Sequence, residues 1–222
     1  MSRLIVFDVD STLLAVESLD FAVERALSAA KDGPARTAQL KALTDQGMAG
    51  VLDFRASLEQ RLDLSGLTRT QVEDSRALLC DQLTPGMTGL VEALQARGDT
   101  VAAVSGGFLD LIGAALSKLG LEPGDIRANR FVYDGANVTG FDRGNPLSRS
   151  GGKGPVVASL KALTGARHAV MVGDGMTDFE AFVSGGADAF VGFGAIAMRE
   201  PVKAKAPAYA DTVEALRALL LD

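Results

Sequence analysis

Residues 3–12 read RLIVFDVDST. The apolar run has no polar alternation and is rich in β-branched and aromatic side chains, the pattern of a short strand buried on both faces. It predicts a strand over residues 3–9 that ends in two acids, Asp8 and Asp10. Downstream of residue 84 the same kind of strand recurs between helices. Helical periodicity covers 89–97, 109–119, 154–163, 178–183 and 212–221, and strand signals fall at 100–105, 168–172 and 187–191. A hairpin is expected around 131–141, turning at Asp134-Gly135. Strands alternating with helices of this length define an α/β fold with a largely parallel sheet.

The alternation fails only between the first strand and residue 84. There the pattern is helical throughout, in pieces over 21–30, 35–46, 54–62 and 68–79, punctuated by Gly33-Pro34, Gly47 and Gly66 and closed by Pro85-Gly86. The chain therefore divides into an α/β core of residues 1–13 and 84–222 and an inserted helical domain of residues 14–83. In open α/β sheets ligands bind beyond the carboxyl ends of the strands. An insertion springing from that edge would hang over the site as a cap.

Bulk composition agrees and narrows the class. The 222 residues carry 28 acidic and 22 basic side chains, a formal net charge of -6, with 47% hydrophobic and 23% charged residues. Such a chain buries a full core and needs no staples. An acidic balance without a basic tract argues against a nucleic-acid partner, and no apolar run is long enough to cross a membrane. The start is too soon interrupted by acid to read as a signal peptide, and the single Cys80 points to a reducing compartment. A cytoplasmic protein is the expectation.

The chemistry-bearing residues fall at the strand ends. Asp8 and Asp10 close the first strand, Ser105-Gly106-Gly107 the second, and Gly173-Asp174-Gly175-Met176-Thr177-Asp178 the one beginning at His168. Lys153 opens a helix after Ser150-Gly151-Gly152. Each has an ordinary alternative: a strand-end turn for Asp8 and Asp10, a plain strand-to-helix turn for Ser105, a solvated side chain for Lys153, a helix cap for residues 173–178. Their occurrence together, in order, at one sheet edge is what points to a site. Closely set carboxylates repel unless a cation neutralises them, and an all-oxygen set suits Mg²⁺. Glycine turns at helix N-termini present N–H groups to phosphate. With a free carboxylate added, this is the equipment for phosphoryl transfer through an aspartyl-phosphate.

In these four signatures the sequence resembles the haloacid dehalogenase superfamily. The resemblance implies a Rossmann-like core with Asp8 as nucleophile and Asp10 as general acid and base. It implies Mg²⁺ held by Asp8, Asp174 and the Asp10 carbonyl, with Asp178 orienting that shell, and Ser105 and Lys153 on the phosphate. Residues 8–20 (DVDSTLLAVESLD), 48–62 (MAGVLDFRASLEQRL), 150–154 (SGGKG) and 186–194 (GADAFVGFG) further resemble the phosphoserine phosphatase family. That likeness implies Glu17 on the substrate ammonium, Arg61 on its carboxylate, and Met48 and Phe54 as pocket walls. Gly106, Gly107 and Thr177 complete the implied substrate set. Ala49 departs from the glycine common at its place, and no N-terminal regulatory extension is expected.

The residues support the narrower likeness in their own right. Phe54, Leu58 and Arg61 share one helical face. An arginine in such a stripe is costly unless it meets an anion, and its fork fits a carboxylate; an ion pair with another element, or a stem laid over apolar surface, is the alternative.

Other chemistries fail on residues. A cysteine phosphatase needs an arginine where Gly86 follows Cys80, and a Walker A loop fails at Leu147 and Gly154. Cys80 reads as a small buried hydrophobe and His168, the only histidine, as a strand-edge residue. The expectation is Mg²⁺-dependent hydrolysis of O-phospho-L-serine, a small-molecule phosphate ester, by a monomer or homodimer. Transfer to another acceptor, action on another small ester, and a non-catalytic phospholigand-binding protein remain the rivals. The last has no need of Asp10 as a proton donor.

Overall fold

The computed structural model describes residues 3–28, 30–48 and 51–222, without the Met48 side chain. At its centre lies β1 (Arg3–Phe7), whose Leu4, Ile5, Val6 and Phe7 are wholly buried. β2 (Thr100–Phe108) pairs with one edge of β1 and β6 (His168–Gly173) with the other, both parallel. β3 (Ile126–Asn129) lies outside β2, and β7 (Ala189–Phe193) and β8 (Ala208–Ala210) lie outside β6. The order is β3-β2-β1-β6-β7-β8, every pairing parallel. The chain leaves β1 toward β2 and returns to its other side at β6. This reversal opens the crevice in which α/β sheets bind ligands.

Successive strand residues point to opposite faces, and two apolar layers result. Ile5, Phe7, Val101, Ala103, Val170 and Val172 face α5 (Met87–Ala96), α6 (Leu109–Lys118) and α10 (Val213–Leu221). Leu4, Val6, Ala102, Val104, Ala169 and Met171 face α7 (Lys153–Thr164), α8 (Met176–Val183) and α9 (Glu200–Lys205). A sheet covered on both faces explains why its strands read as continuous apolar runs.

Between β1 and α5 come α1 (Ser18–Leu27), α2 (Gly33–Met48), α3 (Phe54–Ser65) and α4 (Arg69–Leu79). Chemistry sets their ends: the Asp53 side chain caps α3 by accepting from the Ala56 N–H, and Thr68 and Gln71 form a reciprocal capping box on α4. The two chain crossings into this block are tied to each other. Leu14 and Leu83 form an antiparallel bridge, the Ala15 N–H donates to Gln82 O at 2.8 Å and the Thr84 N–H to Leu13 O at 2.9 Å. The antiparallel hairpin β4 (Phe131–Asp134) and β5 (Asn137–Phe141) reaches up from the sheet side. It accepts from the Arg69 N–H at Ala136 O and donates from the Val138 N–H to Leu67 O, while Arg69 lies 3.9 Å over the Tyr133 ring.

Three elements differ from the sequence expectation. β3, β8 and α9 are short, and β3 alternates apolar and polar residues at a sheet edge, so none carries a periodic signal of its own. The first strand also stops at Phe7, because residues 9–13 coil into a tight turn closed by the Leu14 N–H on Val9 O. Cys80 is half-buried after α4 instead of buried. His168 is the exposed first residue of β6, 3.8 Å from Asp188.

Candidate active site

The site begins where β1 ends. The Asp8 N–H is still held in the sheet by Val172 O at 2.8 Å, so its carboxylate leaves from a fixed strand end. Ser11 then adopts φ 54, the only left-handed backbone outside glycine among the described residues. A side chain there costs on the order of 1–3 kcal/mol and persists only where its surroundings hold it. The Ser11 N–H on Val16 O and the Ser11 hydroxyl on Glu17 Oε1 at 2.9 Å hold it here. The turn brings Asp10 under the start of α1, where the Ser18 N–H donates to Asp10 Oδ1 at 3.0 Å.

Lys153, in the first turn of α7, joins two of the acids. Its Nζ donates to Asp8 Oδ1 at 2.6 Å and to Asp178 Oδ1 at 2.5 Å. Burial works against its charge, but Asp178 and Asp8 outweigh that and hold its pKa above the ordinary lysine value. The second Asp178 oxygen accepts from the Gly175 N–H at 3.0 Å, which leaves Asp178 fully engaged and fixed behind the others.

β2 runs three residues past the expected end at 105, with its pairing irregular after Val104, and in that stretch the Ser105 hydroxyl accepts from the Gly107 N–H at 2.8 Å. A side chain at either glycine would crowd the site. A Cβ on Gly106 would lie 2.5 Å from the Phe54 ring, and one on Gly107 would lie 2.9 Å from Asp10 Oδ2. Backbone can therefore approach a ligand there where a side chain could not.

One pocket takes in Asp8, Asp10, Lys153, Asp174, Ser105, Gly106, Gly107 and Thr177 from the sheet edge. Glu17, Leu19, Phe54, Leu58 and Arg61 come from the helices above, and Phe108, Leu147, Arg149 and Gly175 fill the gaps. Every site residue expected from the sequence thus lines this pocket, apart from Asp178 behind it and Met48. Met48 ends α2; its side chain, and all of Ala49, lie outside the described residues.

Four partners went unread in the sequence. Arg199 donates from Nε to Asp174 Oδ2 at 2.7 Å and from Nη2 to Glu17 Oε1 at 3.3 Å. Its loop leaves the carboxyl end of β7, the sheet edge that carries the acids, and that placement was the available signal. Ser11 holds Glu17, and Asp20 with Thr44 meets Arg61. Asp20 looks like any acid favoured in a first helical turn, so nothing marked it.

The electrostatics are those of crowded acid. Burial, then Glu17 and Asp8, push the Asp10 carboxyl up to about 8. Burial and Asp8 push Asp178 up to about 7 against the opposing pull of Lys153. Burial, Asp8 and Glu17 hold Asp174 well above the carboxylate range. Glu17 is raised too, by burial, although Arg61 and Arg199 oppose it.

This arrangement suits a divalent cation. Asp8, Asp174 and Asp178 each place a carboxylate oxygen within 4.8 Å of the others. Asp8 Oδ2 and Asp174 Oδ1 carry no hydrogen bond among the described residues, because Lys153 and Arg199 take only the opposite oxygens. An all-oxygen donor set is the one that hard cations prefer.

A strand-end aspartate, a second acid two residues on, and a lysine reaching across the sheet edge are laid out for attack on a phosphoryl group. The family model of haloacid dehalogenase-like hydrolases matches residues 2–186, and the chain belongs to that class of enzyme. Bovine phosphoserine phosphatase is 40% identical over 222 residues, covering 97% of this chain and 92% of that protein. The structure of a phosphoserine phosphohydrolase-like protein from Francisella tularensis matches with a TM-score of 0.89 at 28% identity, covering 100% of both chains. A phospho-aspartyl intermediate analogue of phosphoserine phosphatase matches with a TM-score of 0.78 at 28% identity, covering 98% of each chain. Within its class, the chain is a member of the phosphoserine phosphatase family.

Proposed function

We propose that the protein hydrolyses O-phospho-L-serine to L-serine and phosphate by way of a phosphorylated Asp8. The observation that carries this reading is the composition of one pocket. Groups for phosphoryl transfer line its floor, and Glu17 and Arg61, a matched pair for an ammonium and a carboxylate, line its wall.

Asp8 attacks phosphorus while Asp10, whose protonated form is favoured by burial and by the neighbouring Glu17 and Asp8, gives its proton to the departing serine oxygen. Asp10, now a base, then takes a proton from the water that opens the acyl phosphate. Lys153 stays charged throughout and neutralises phosphoryl oxygens. Ser105, Thr177 and the backbone of Gly106 and Gly107 orient them. Asp8, Asp174 and the Asp10 carbonyl would hold Mg²⁺, with Asp178 behind them, and the bound ion would add positive charge at the phosphoryl group.

The helices of residues 14–83 act as the cap, with the bridged chain crossings at Leu14 and Leu83 as its hinge. Phe54, which lines the pocket from the cap side, walls off bulk water. Cap and core meet across the mouth through Arg55, which donates to the Ser148 hydroxyl at 2.9 Å. No described helix is long and apolar enough to cross a membrane. The lone Cys80 suits a reducing compartment, and we place the reaction in the cytoplasm on a small soluble ester.

Phosphate release from phosphoserine, phosphoethanolamine, phospholactate and phosphothreonine tests the substrate. Phosphoserine should be the best of the four, because each analogue removes or crowds one contact. Truncating one partner of a buried charge pair costs about 2–5 kcal/mol. Arg61→Ala should therefore lower the phosphoserine to phosphoethanolamine ratio of kcat/KM by roughly 30-fold or more. Equal losses on both substrates would remove Arg61 from the carboxylate.

Metal dependence is testable without turnover. Between the unfolded carboxylate value of 3.8 and folded values near 7 and 8, the metal-free folded chain binds more protons than the unfolded one. Its stability therefore falls as pH rises across that window. A cation that displaces those protons should restore most where most are lost. Mg²⁺ at a hundred times its Kd adds about 2.7 kcal/mol, worth about 5–10 °C in Tm for a chain this long. At one fixed Mg²⁺ concentration the shift should be larger at pH 8 than at pH 6, because protons compete for the carboxylates, and absent in Asp174→Asn. An equal shift in that variant would place the ion elsewhere.

A further inference from the structure

Three cap helices bring one polar side chain each to a single buried point. Asp20 comes from the first turn of α1, Thr44 from the last turns of α2 and Arg61 from the middle of α3. Asp20 Oδ1 accepts from Arg61 Nε at 3.0 Å and from Nη2 at 2.6 Å, and Asp20 Oδ2 accepts from the Thr44 hydroxyl at 2.6 Å. All three residues are at most 7% exposed, in a cap whose neighbouring interior is Leu19, Leu40, Leu58 and Leu62.

Holding helices together does not require such a cluster. Two charges lose their hydration when buried, and apolar residues of similar volume often serve stability as well or better. The geometry offers another reason. A guanidinium has two forked edges, a side edge of Nε and Nη2 and an end edge of Nη1 and Nη2. Asp20 occupies the side edge alone. Nη1 has no partner among the described residues, and Arg61 lines the pocket close enough to Glu17 to oppose the rise of its pKa.

We propose that Asp20 is a positioning residue for substrate recognition: it holds the side edge of Arg61 so that the end edge is presented to the substrate carboxylate. Thr44 anchors the second Asp20 oxygen, so the carboxylate cannot turn away from Arg61. An arginine ordered before the substrate arrives loses little rotamer freedom on binding, and the contact is made without that entropic cost. This inference rests on the reading of Arg61 as the carboxylate contact.

The test is a double-mutant cycle read on two substrates. kcat and KM for phosphoserine and phosphoethanolamine are measured for the unaltered protein, Asp20→Ala, Arg61→Ala and the double variant. Asp20→Ala should raise the phosphoserine KM about tenfold or more with kcat within about twofold, and should affect phosphoethanolamine far less. In the Arg61→Ala background the same change should do almost nothing, since contacting residues in one network couple strongly.

If Asp20→Ala does not fold, Asp20→Asn decides. It keeps the size and the Thr44 contact while dropping the charge, and should raise the phosphoserine KM selectively though by less. An unchanged phosphoserine KM in Asp20→Asn, equal losses on both substrates, or a loss that persists in the Arg61→Ala background would overturn the inference. If Arg61→Ala itself fails to discriminate, the carboxylate reading falls and the inference with it. A discriminating Arg61→Ala beside a non-discriminating Asp20→Ala defeats the positioning role alone.

Discussion

Asp8→Asn protein is expected to fold and to release no phosphate above background from phosphoserine, a loss on the order of 10⁶-fold in kcat by analogy with removal of other enzymic nucleophiles. The amide has nearly the shape of the carboxylate and still accepts from Lys153, which keeps its second partner in Asp178. It has no lone pair basic enough to attack phosphorus. Removing one charge from the cluster also relieves Asp10, Asp174 and Asp178, each of which Asp8 pushes upward. The thermal midpoint of the metal-free variant should therefore be no lower than that of the unaltered protein. Mass analysis after a rapid quench should find one phosphoryl group on Asp8 in the unaltered protein and none in the variant. Turnover by Asp8→Asn, with deamidation back to aspartate excluded by intact mass, would end the covalent mechanism.

How far the sequence announces this site follows from how each group is held. Asp8 and Asp174 sit where regular strands stop and Ser105 where the pairing of β2 turns irregular, and a run of buried strand residues is the loudest pattern a sequence carries. Their convergence on one edge then follows from the parallel topology, which fixes all carboxyl ends on one side. Lys153 is legible because a glycine-rich turn precedes it at a helix start. Arg61 is legible in part: its apolar stripe says that it needs an anion, but not which one. The structure supplies Asp20, from a helix separated from Arg61 by the whole of α2. Arg199 stands in an irregular loop after β7, where no period exists to read. Such contacts depend on how elements pack against one another, and local pattern does not encode packing. The same reason hides β3 and β8, short strands that exist only because a longer neighbour offers them a free edge.

The second large effect separates the two chemical steps. Asp10→Asn removes the proton that the first step donates and the base that the second step uses, while leaving the backbone carbonyl and the Ser18 N–H contact in place. General acid–base catalysis contributes about 10²–10⁴-fold, so phosphoserine turnover should fall by at least that factor. Serine leaves as a poorly stabilised alkoxide unless it is protonated, whereas acetate needs no proton to depart. With acetyl phosphate the variant should therefore phosphorylate Asp8 at a rate close to that of the unaltered protein. It should then stall, because no base remains to draw a proton from water. Rapid-quench measurement should show one equivalent of acetate released in a burst, with phosphoryl-Asp8 accumulating and free phosphate appearing slowly. The burst distinguishes this role from a merely structural one, since a distorted site would lose both steps together. If Asp10→Asn phosphorylates Asp8 equally slowly from acetyl phosphate and from phosphoserine, Asp10 does not protonate the leaving group. The pKa that burial and its neighbours raise would then have no part in the first step.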